Sequence, residues 1–501
     1  MSACAATALA AFAFALASAA AHAATVLVMD RGGHVHRVES RFLDGPPLDG
    51  IATAAPAVAH RTRAAATALT ADARRGTATH TRQQAQVTVV SVLAQLARRR
   101  QITTREHRDD LHAWSAALAE EHRLHGAYRM NLVDVTELLH AFAADGTMTA
   151  ARLPQLFLTL ERNAQWWAHG PLLSYGERVQ FGSSLIEWEY YPGEGLQLMV
   201  LGTFAEANGL YESGRASWPK VAAVVDEMIP LGVLRGGRLA WEYDFDWDGG
   251  TPPWVSAMAQ ATGIEALTSA YEATGSRTYL HVAHAALALL AAPPPIGVGV
   301  RSPLGMRFLQ YSFAPRLEII NAFLQTLIGL DVYATASGDA TARRLFDEGD
   351  AQAESDLPAF NTGAWSLYQP GVEDDLGYHE LVTGFLEKLC DLTHTPIYCS
   401  TGAAFTADLH TPPALVQLTH TATAEHPFGL WFHLSKVSHV GIVITRGSTT
   451  YLYTSASFPF GSSSFTVPAV PAGTYSVRLS ATGPAGNYRT ITGTVAVSAA
   501  H

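Results

Sequence analysis

The chain has 501 residues, with 33 Lys plus Arg against 44 Asp plus Glu for a formal net charge of −11, and it is 48% hydrophobic but only 15% charged. This is the composition of a globular chain with material for roughly two to four structural units, and it excludes a disordered protein. The negative balance argues against a general nucleic-acid binder, which needs a basic face.

Residues 1–23 hold no Asp, Glu, Lys or Arg and run through Leu9, Phe12, Phe14 and Leu16 to Ala21-His22-Ala23. A short apolar stretch ending in a small-x-small site reads as a secretory signal peptide cleaved before Ala24, so a secreted or cell-envelope protein is expected. The positive start of such signals is missing, and an uncleaved anchor or a wrongly assigned start is the alternative. No later stretch offers the ~20 apolar residues that span a bilayer. Cys4 leaves with the signal, and Cys390 and Cys399 remain. In an oxidising compartment they are a disulfide candidate tying a loop to a helix end; two reduced buried thiols are the alternative.

Residues 24–100 read as an Ala/Thr/Arg-rich N-terminal arm, basic through Arg61, Arg63, Arg74, Arg75, Arg82 and Arg98-Arg99-Arg100. From Thr103 onward Leu111, Trp114, Leu118 and His122 recur at helical spacing, as do Leu132, Val135, Leu138, Leu139 and Phe142. Turn signals at Tyr175-Gly176, Gly182-Ser183 and Pro192-Gly193 frame short aromatic runs, so a β-hairpin insert is expected near 172–200. A helix follows over 253–273, capped by Thr251, with Pro252 suited to its start and Gly275 to its end. The next helix starts at Ser276 and stops before Pro293. Similar units are read at 204–211 with 218–228 and at 321–334 followed by Asp339. Gly214, Gly275 and Gly338 each separate a helix with a late tyrosine (Tyr211, Tyr271, Tyr333) from a second helix. Such repeated αα-hairpins bury their faces by stacking into a ring. The expected fold is therefore mainly α, an α/α toroid over 101–405. After Pro412-Pro413 the β-branched runs and regular turns of 408–501 predict an antiparallel β-sandwich of immunoglobulin or fibronectin type.

HExxH, P-loop and GxSxG motifs are absent. His281 and His284 share a helix face without a third ligand, so no metal and no cofactor is expected. Aromatic and amide residues gather instead near predicted helix ends. Tyr311 lies between Gln310 and Pro315, and Trp365, Tyr368, Tyr378 and His379 flank a Gly-rich turn ending in Glu373-Asp374-Asp375.

These residues carry a resemblance. The run Trp254-Val255-Ser256-Ala257-Met258-Ala259-Gln260, Tyr311 with Pro315, Asn321-Ala322-Phe323-Leu324-Gln325-Thr326-Leu327, Leu357-Pro358-Ala359-Phe360-Asn361-Thr362-Gly363, Tyr368 and Tyr378-His379 follow in the order of the C-terminal domain of D-glucuronyl C5-epimerases. The similarity covers about 180 to 395. It implies an α/α barrel, cofactor-independent inversion of glucuronate to iduronate in a heparan- or heparosan-like polysaccharide, and a tendency to homodimeric assembly. It makes Tyr311, Tyr368 and Tyr378 the candidate catalytic residues. Gln260, Asn321 and His379 are the candidate hydrogen-bond donors to the sugar, and Trp254 and Tyr191 the candidate apolar faces for sugar rings. The chain departs from the animal enzymes at Gln310 and Asn361, where those have acidic residues. The arginines that they carry between the second and third tyrosine are missing from 369–377. Arg301, Arg307 and Arg316 are the candidate substitutes.

Breaking the C5–H bond beside a carboxylate places a second negative charge next to the first. The site needs a base on one face, an acid on the other and a partner for the enediolate. A tyrosine fills these roles if its pKa is brought down from about 10. A polysaccharide lyase, which shares the first step, and a non-catalytic carbohydrate-binding protein are the alternatives.

Overall fold

The computed structural model describes residues 24–40 and 87–499. The expected signal peptide and most of the expected basic arm lie outside the described residues. The start of that arm is not an arm: Ala24–Met29 (β1) and Val35–Ser40 (β2) form a hairpin. It joins Arg178–Phe181 (β3), Trp188–Tyr191 (β4) and Gly195–Leu198 (β5) in one sheet of order β2-β1-β3-β4-β5. The expected insert is thus the other part of a five-stranded sheet, with β1 parallel to β3. β1 is buried on both faces, Leu27 and Met29 in the main core and Val26 with Val28 behind them. Its apolar run is only six residues long, within a stretch dominated by Ala, Thr and Arg.

Helices begin before Thr103. Val89–Arg98 (α1) is followed by Thr104–Arg123 (α2), Gly126–Ala144 (α3) and Leu153–His169 (α4). Thr88 and Ser91 cap α1 reciprocally, as Thr103 and Glu106 cap α2, so four otherwise orphaned N–H groups find oxygen. These helices share a core of their own around Leu93, Trp114, Leu139, Phe142, Leu156 and Leu160.

Four αα-hairpins follow. They are Val200–Glu212 (α5) with Trp218–Met228 (α6), Ala257–Thr274 (α7) with Arg277–Ala291 (α8), Ile320–Ser337 (α9) with Ala340–Asp356 (α10), and Leu376–Thr393 (α11) with Pro396–Asp408 (α12). Gly275 and Gly338 close α7 and α9 in the left-handed region, at φ 76° and 71°, where a Cβ would be strained. The first helices of the hairpins lie side by side, α5 on α7, α7 on α9 and α9 on α11. Residues 257–270 of α7 are buried without interruption, which a helix surrounded by other helices requires. At Gly329 an added Cβ would lie 2.4 Å from the Ala261 carbonyl oxygen, so α9 approaches α7 on bare backbone. Lys388 of α11 donates to Glu212 of α5 at 2.9 Å and to Glu265 of α7 at 2.8 Å, and Gln325 of α9 also donates to Glu265 at 2.8 Å. One ionic node therefore joins all four inner helices.

Two details differ from expectation. α7 starts at Ala257, capped by Ser256, not at Pro253. Trp254 lies upstream in extended backbone, exchanging both its N–H and its C=O with Tyr243. Cys390 and Cys399 form a disulfide, and it ties α11 to α12, helix to helix rather than loop to helix.

Three small hairpins fill the connections: Val233–Arg235 (β6) with Arg238–Ala240 (β7), Gly299–Arg301 (β8) with Met306–Phe308 (β9), and Leu367–Gln369 (β10) with Val372–Glu373 (β11). The C-terminal part has Leu415–Gln417 (β12), Thr421–Thr423 (β13), Phe428–Leu434 (β14), Ser438–Arg446 (β15), Thr449–Phe458 (β16), Gly461–Val467 (β17), Gly473–Thr482 (β18) and Tyr488–Ser498 (β19). They make a three-stranded sheet, β12-β14-β17, and a five-stranded sheet, β13-β19-β18-β15-β16. The pairing is antiparallel except between β13 and β19. Leu430, Phe432 and Leu434 from one sheet and Val440, Ile442, Val477 and Leu479 from the other share one core.

Candidate active site

β10 and β11 turn at Gly371, whose φ of 84° suits a residue without Cβ. Their register slips between Leu367 and Gln369, which places Tyr368 in a bulge. Asp375 then caps α11 by accepting the N–H of Tyr378 at 2.9 Å. The turn and the cap bring the two tyrosines face to edge, with ring centroids 4.9 Å apart.

Tyr311 arrives from the connection between β9 and α9. Its neighbours hold that loop: Ser312 N–H donates to the Val255 carbonyl at 2.9 Å, and Val255 N–H donates to Ser312 Oγ at 3.1 Å. Phe313 stacks on the Tyr311 ring at 5.2 Å and Trp254 meets it edge-on at 5.6 Å. A side-chain hydrogen bond links Tyr311 to Tyr368. Three phenols separated by long stretches of chain therefore meet, with Tyr368 between the other two.

Burial, the neighbouring phenols of Tyr311 and Tyr378 and the hydrogen bond to Tyr311 push the Tyr368 pKa well above the ordinary phenol value. This is opposite to the lowering expected of a catalytic tyrosine. The cause is that all three rings are buried, at 4%, 3% and 6% exposure for Tyr311, Tyr368 and Tyr378, with no cation among the causes acting on Tyr368. Tyr368 is thus held as a proton-bearing phenol.

Behind these rings sits a polar cluster. Ser366 Oγ donates to Asp374 Oδ2 at 2.5 Å and lies 2.8 Å from His379 Nδ1. Trp365 stacks on the His379 ring at 3.6 Å, and its indole donates to the Asp374 carbonyl at 2.8 Å. Burial raises Asp374 to about 7 and lowers His379 to about 4, so near neutrality the histidine is uncharged.

The other expected ligand residues divide. His379 also places Nε2 3.0 Å from the Phe405 carbonyl, so both its ring nitrogens are engaged in packing the site. Gln260 donates to the carbonyls of Leu239 and Ala286 at 2.9 and 3.1 Å, which ties α7 to its neighbours. Trp254 is fully buried, stacked on Tyr243 at 4.2 Å with its indole on the Phe245 carbonyl, and offers no open ring face. Tyr191 packs against Phe245 and Trp247, and Phe245 in turn meets Trp254. Asn321, in the first turn of α9, is 1% exposed, and neither amide atom has a hydrogen-bond partner among the described residues. α9 packs on β10, the strand of Tyr368.

The candidate arginines are committed elsewhere or exposed. Arg307 pairs with Glu318 and, at 2.7 Å, with Asp356; Arg301 pairs with Glu348; Arg316 is exposed. Sequence reasoning missed a buried ionic group under the aromatic patch. Arg178 of β3 lies 2.8 Å from Glu187 and 3.3 Å from Glu189. The β3–β4 register sets Arg178 opposite Glu189. Burial raises Glu187 to about 7 against the pull of Arg178. Tyr243 feels both glutamates and Tyr311, so it lies between this group and the phenols. The available signal was Glu187 and Glu189 at period two inside an aromatic strand, where two acids on one face call for a buried cation. Among the described residues no cluster of His, Cys, Asp or Glu would hold a metal ion.

Residues 235–406 match the family model of the D-glucuronyl C5-epimerase C-terminus. An uncharacterized protein of Methanocaldococcus jannaschii is 26% identical over 137 residues, 26% of this chain and 44% of its own. The D-glucuronyl C5-epimerase of Caenorhabditis elegans is 31% identical over 131 residues, 23% of this chain and 21% of its own. The chain thus spans less than half the length of either relative. A solved sugar epimerase from a ruminal bacterium is 10% identical, with 56% of this chain and 74% of that chain covered, at a TM-score of 0.34, too low to carry a fold assignment. The matched segment runs from β6 into α12 and contains all three phenols, so the similarity to the D-glucuronyl C5-epimerase C-terminus covers the part of the chain that holds the candidate site.

Proposed function

We propose that the chain is a cofactor-independent C5-epimerase of uronate residues in a polysaccharide, converting glucuronate to iduronate. The observation that carries this is the meeting of Tyr311, Tyr368 and Tyr378. In this reading Tyr311 and Tyr378 serve the two faces of C5. Tyr368 keeps its proton and donates it in a hydrogen bond to Tyr311. That bond stabilises a phenolate on Tyr311 relative to the phenol and so favours Tyr311 as the base. The unpartnered amide of Asn321 supports a donor role toward the developing enediolate. The disulfide between Cys390 and Cys399 supports export to an oxidising compartment.

Incubation with heparosan in deuterated water tests the reading. Deuterium at C5 with unshortened chains is the expected result. Unsaturated chain ends would instead indicate a lyase, and neither product would indicate a binder.

A further inference from the structure

The outer face of the five-stranded C-terminal sheet is polar but not featureless. On it Tyr453 of β16, Val443 of β15, Arg478 of β18 and Thr492 of β19 form one row across the strands. Two steps along, Ser457, His439, Thr482 and Tyr488 form another. Tyr453 is 81% and Tyr488 70% exposed, an unusual presentation for two large rings. From strand spacing and rise they stand on the order of 20 Å apart, across a diagonal paved with Ser and Thr. Arg478 projects between them. Its cross-strand neighbours, Val443 and Thr492, are uncharged, so no adjoining carboxylate neutralises it.

Charge separates this unit from the rest. Residues 415–499 hold Lys436, Arg446, Arg478 and Arg489 against Glu425 alone, for +3, while the remaining chain carries −14. An anionic polymer is repelled by the body of the protein and drawn to this unit. Rings of this kind present an apolar face and a polar rim, hydroxyls match hydroxyls, and a guanidinium takes a carboxylate through two parallel bonds.

We infer that this sheet face is a second binding surface for the same uronate-bearing polysaccharide, holding the chain outside the active site. The inference rests on the substrate proposed above. Its anchorage favours that role: Glu373, in the hairpin of Tyr368, accepts the N–H groups of Val437 and Phe460 at 2.7 and 2.8 Å, which fixes the unit beside the candidate site.

The test is affinity electrophoresis of the full chain through gels containing heparosan or neutral dextran, with Tyr453→Ala/Arg478→Ser/Tyr488→Ala as the variant. All three side chains face solvent, and an unchanged melting temperature checks the fold. Retardation by heparosan should weaken by about tenfold in the variant, while dextran retards neither protein. Equal retardation of both proteins by heparosan overturns the proposal. So does equal retardation by dextran, or a shift in oligomeric state with the variant, which would make the face a contact between copies. C5 exchange on a short uronate oligosaccharide, which reaches the tyrosines alone, should be unchanged in the variant. Loss of heparosan binding without exchange in either protein would sink the epimerase reading and leave the surface standing.

Discussion

The ammonium of Lys436, in the C-terminal unit, lies 4.8 Å from the ring centre of Trp365, in the connection that carries the candidate site. It also donates to the carbonyls of Asp408 and Thr411 at 2.7 and 2.9 Å. Trp365 in turn stacks on His379. The contact between the two parts of the chain therefore runs to within two side chains of the phenols. Replacing Lys436 by Met keeps the stem but strands two carbonyls. A loss of about 2 kcal/mol is expected in urea unfolding, with Lys436→Arg recovering part of it.

His379 makes stability depend on pH. Its ordinary value of 6.5 falls to about 4 in the folded chain because burial disfavours the charged ring. Between these values the unfolded chain binds the proton and the folded chain does not, so stability is lost as pH falls from 6.5 through 4. The full shift corresponds to about 3 kcal/mol. Relative to the native protein, His379→Gln should therefore gain about that much between pH 7 and pH 4. Asp374, raised to about 7, acts in the opposite sense, losing stability as pH rises toward 7, and does so in both proteins. Denaturant unfolding at the two pH values, compared between the proteins, isolates the histidine.

Arg178 stands between two carboxylates that are fully buried. Arg178→Met leaves both uncompensated and should cost about 3–5 kcal/mol. Adding Glu187→Gln and Glu189→Gln should restore most of the loss. A triple variant no better than the single would show that packing, not charge, explains the effect.

Gly329→Ala should separate α9 from α7, since its Cβ would meet the Ala261 carbonyl at 2.4 Å and backbone cannot yield as a side chain does. A loss of about 1–3 kcal/mol is expected from thermal unfolding. Gly384→Ala, on α11 with open space at its Cβ, should be neutral or stabilising.

How much of this was legible beforehand follows from distance along the chain. Helix ends at Gly275 and Gly338 were readable because a left-handed cap is a local demand. The start of α7 was misplaced because the apolar period of 254–258 continues upstream, whereas Trp254 is committed to Tyr243 by pairing that no window detects. Resemblance, not spacing, singled out the three tyrosines; their meeting depends on the turn at Gly371, the cap at Asp375 and the strap of Ser312 on Val255. The two acids at 187 and 189 called for a cation, but that Arg178 supplies it follows from the β3–β4 register, which no local pattern reveals. Trp254, Gln260 and His379 carry polar groups that backbone carbonyls absorb, a fate that residue type alone does not reveal.

The assignment of Tyr311 and Tyr378 to opposite faces is tested most directly by C5 deuterium exchange from each epimer separately, starting from a glucuronate-only and an iduronate-enriched polymer. With one base removed, a two-base site still exchanges the epimer served by the other. Tyr311→Phe should lose exchange from one epimer and keep it from the other, Tyr378→Phe should show the reverse, and Tyr368→Phe should slow both. Equal retention of exchange from both epimers in Tyr311→Phe and Tyr378→Phe would contradict the account.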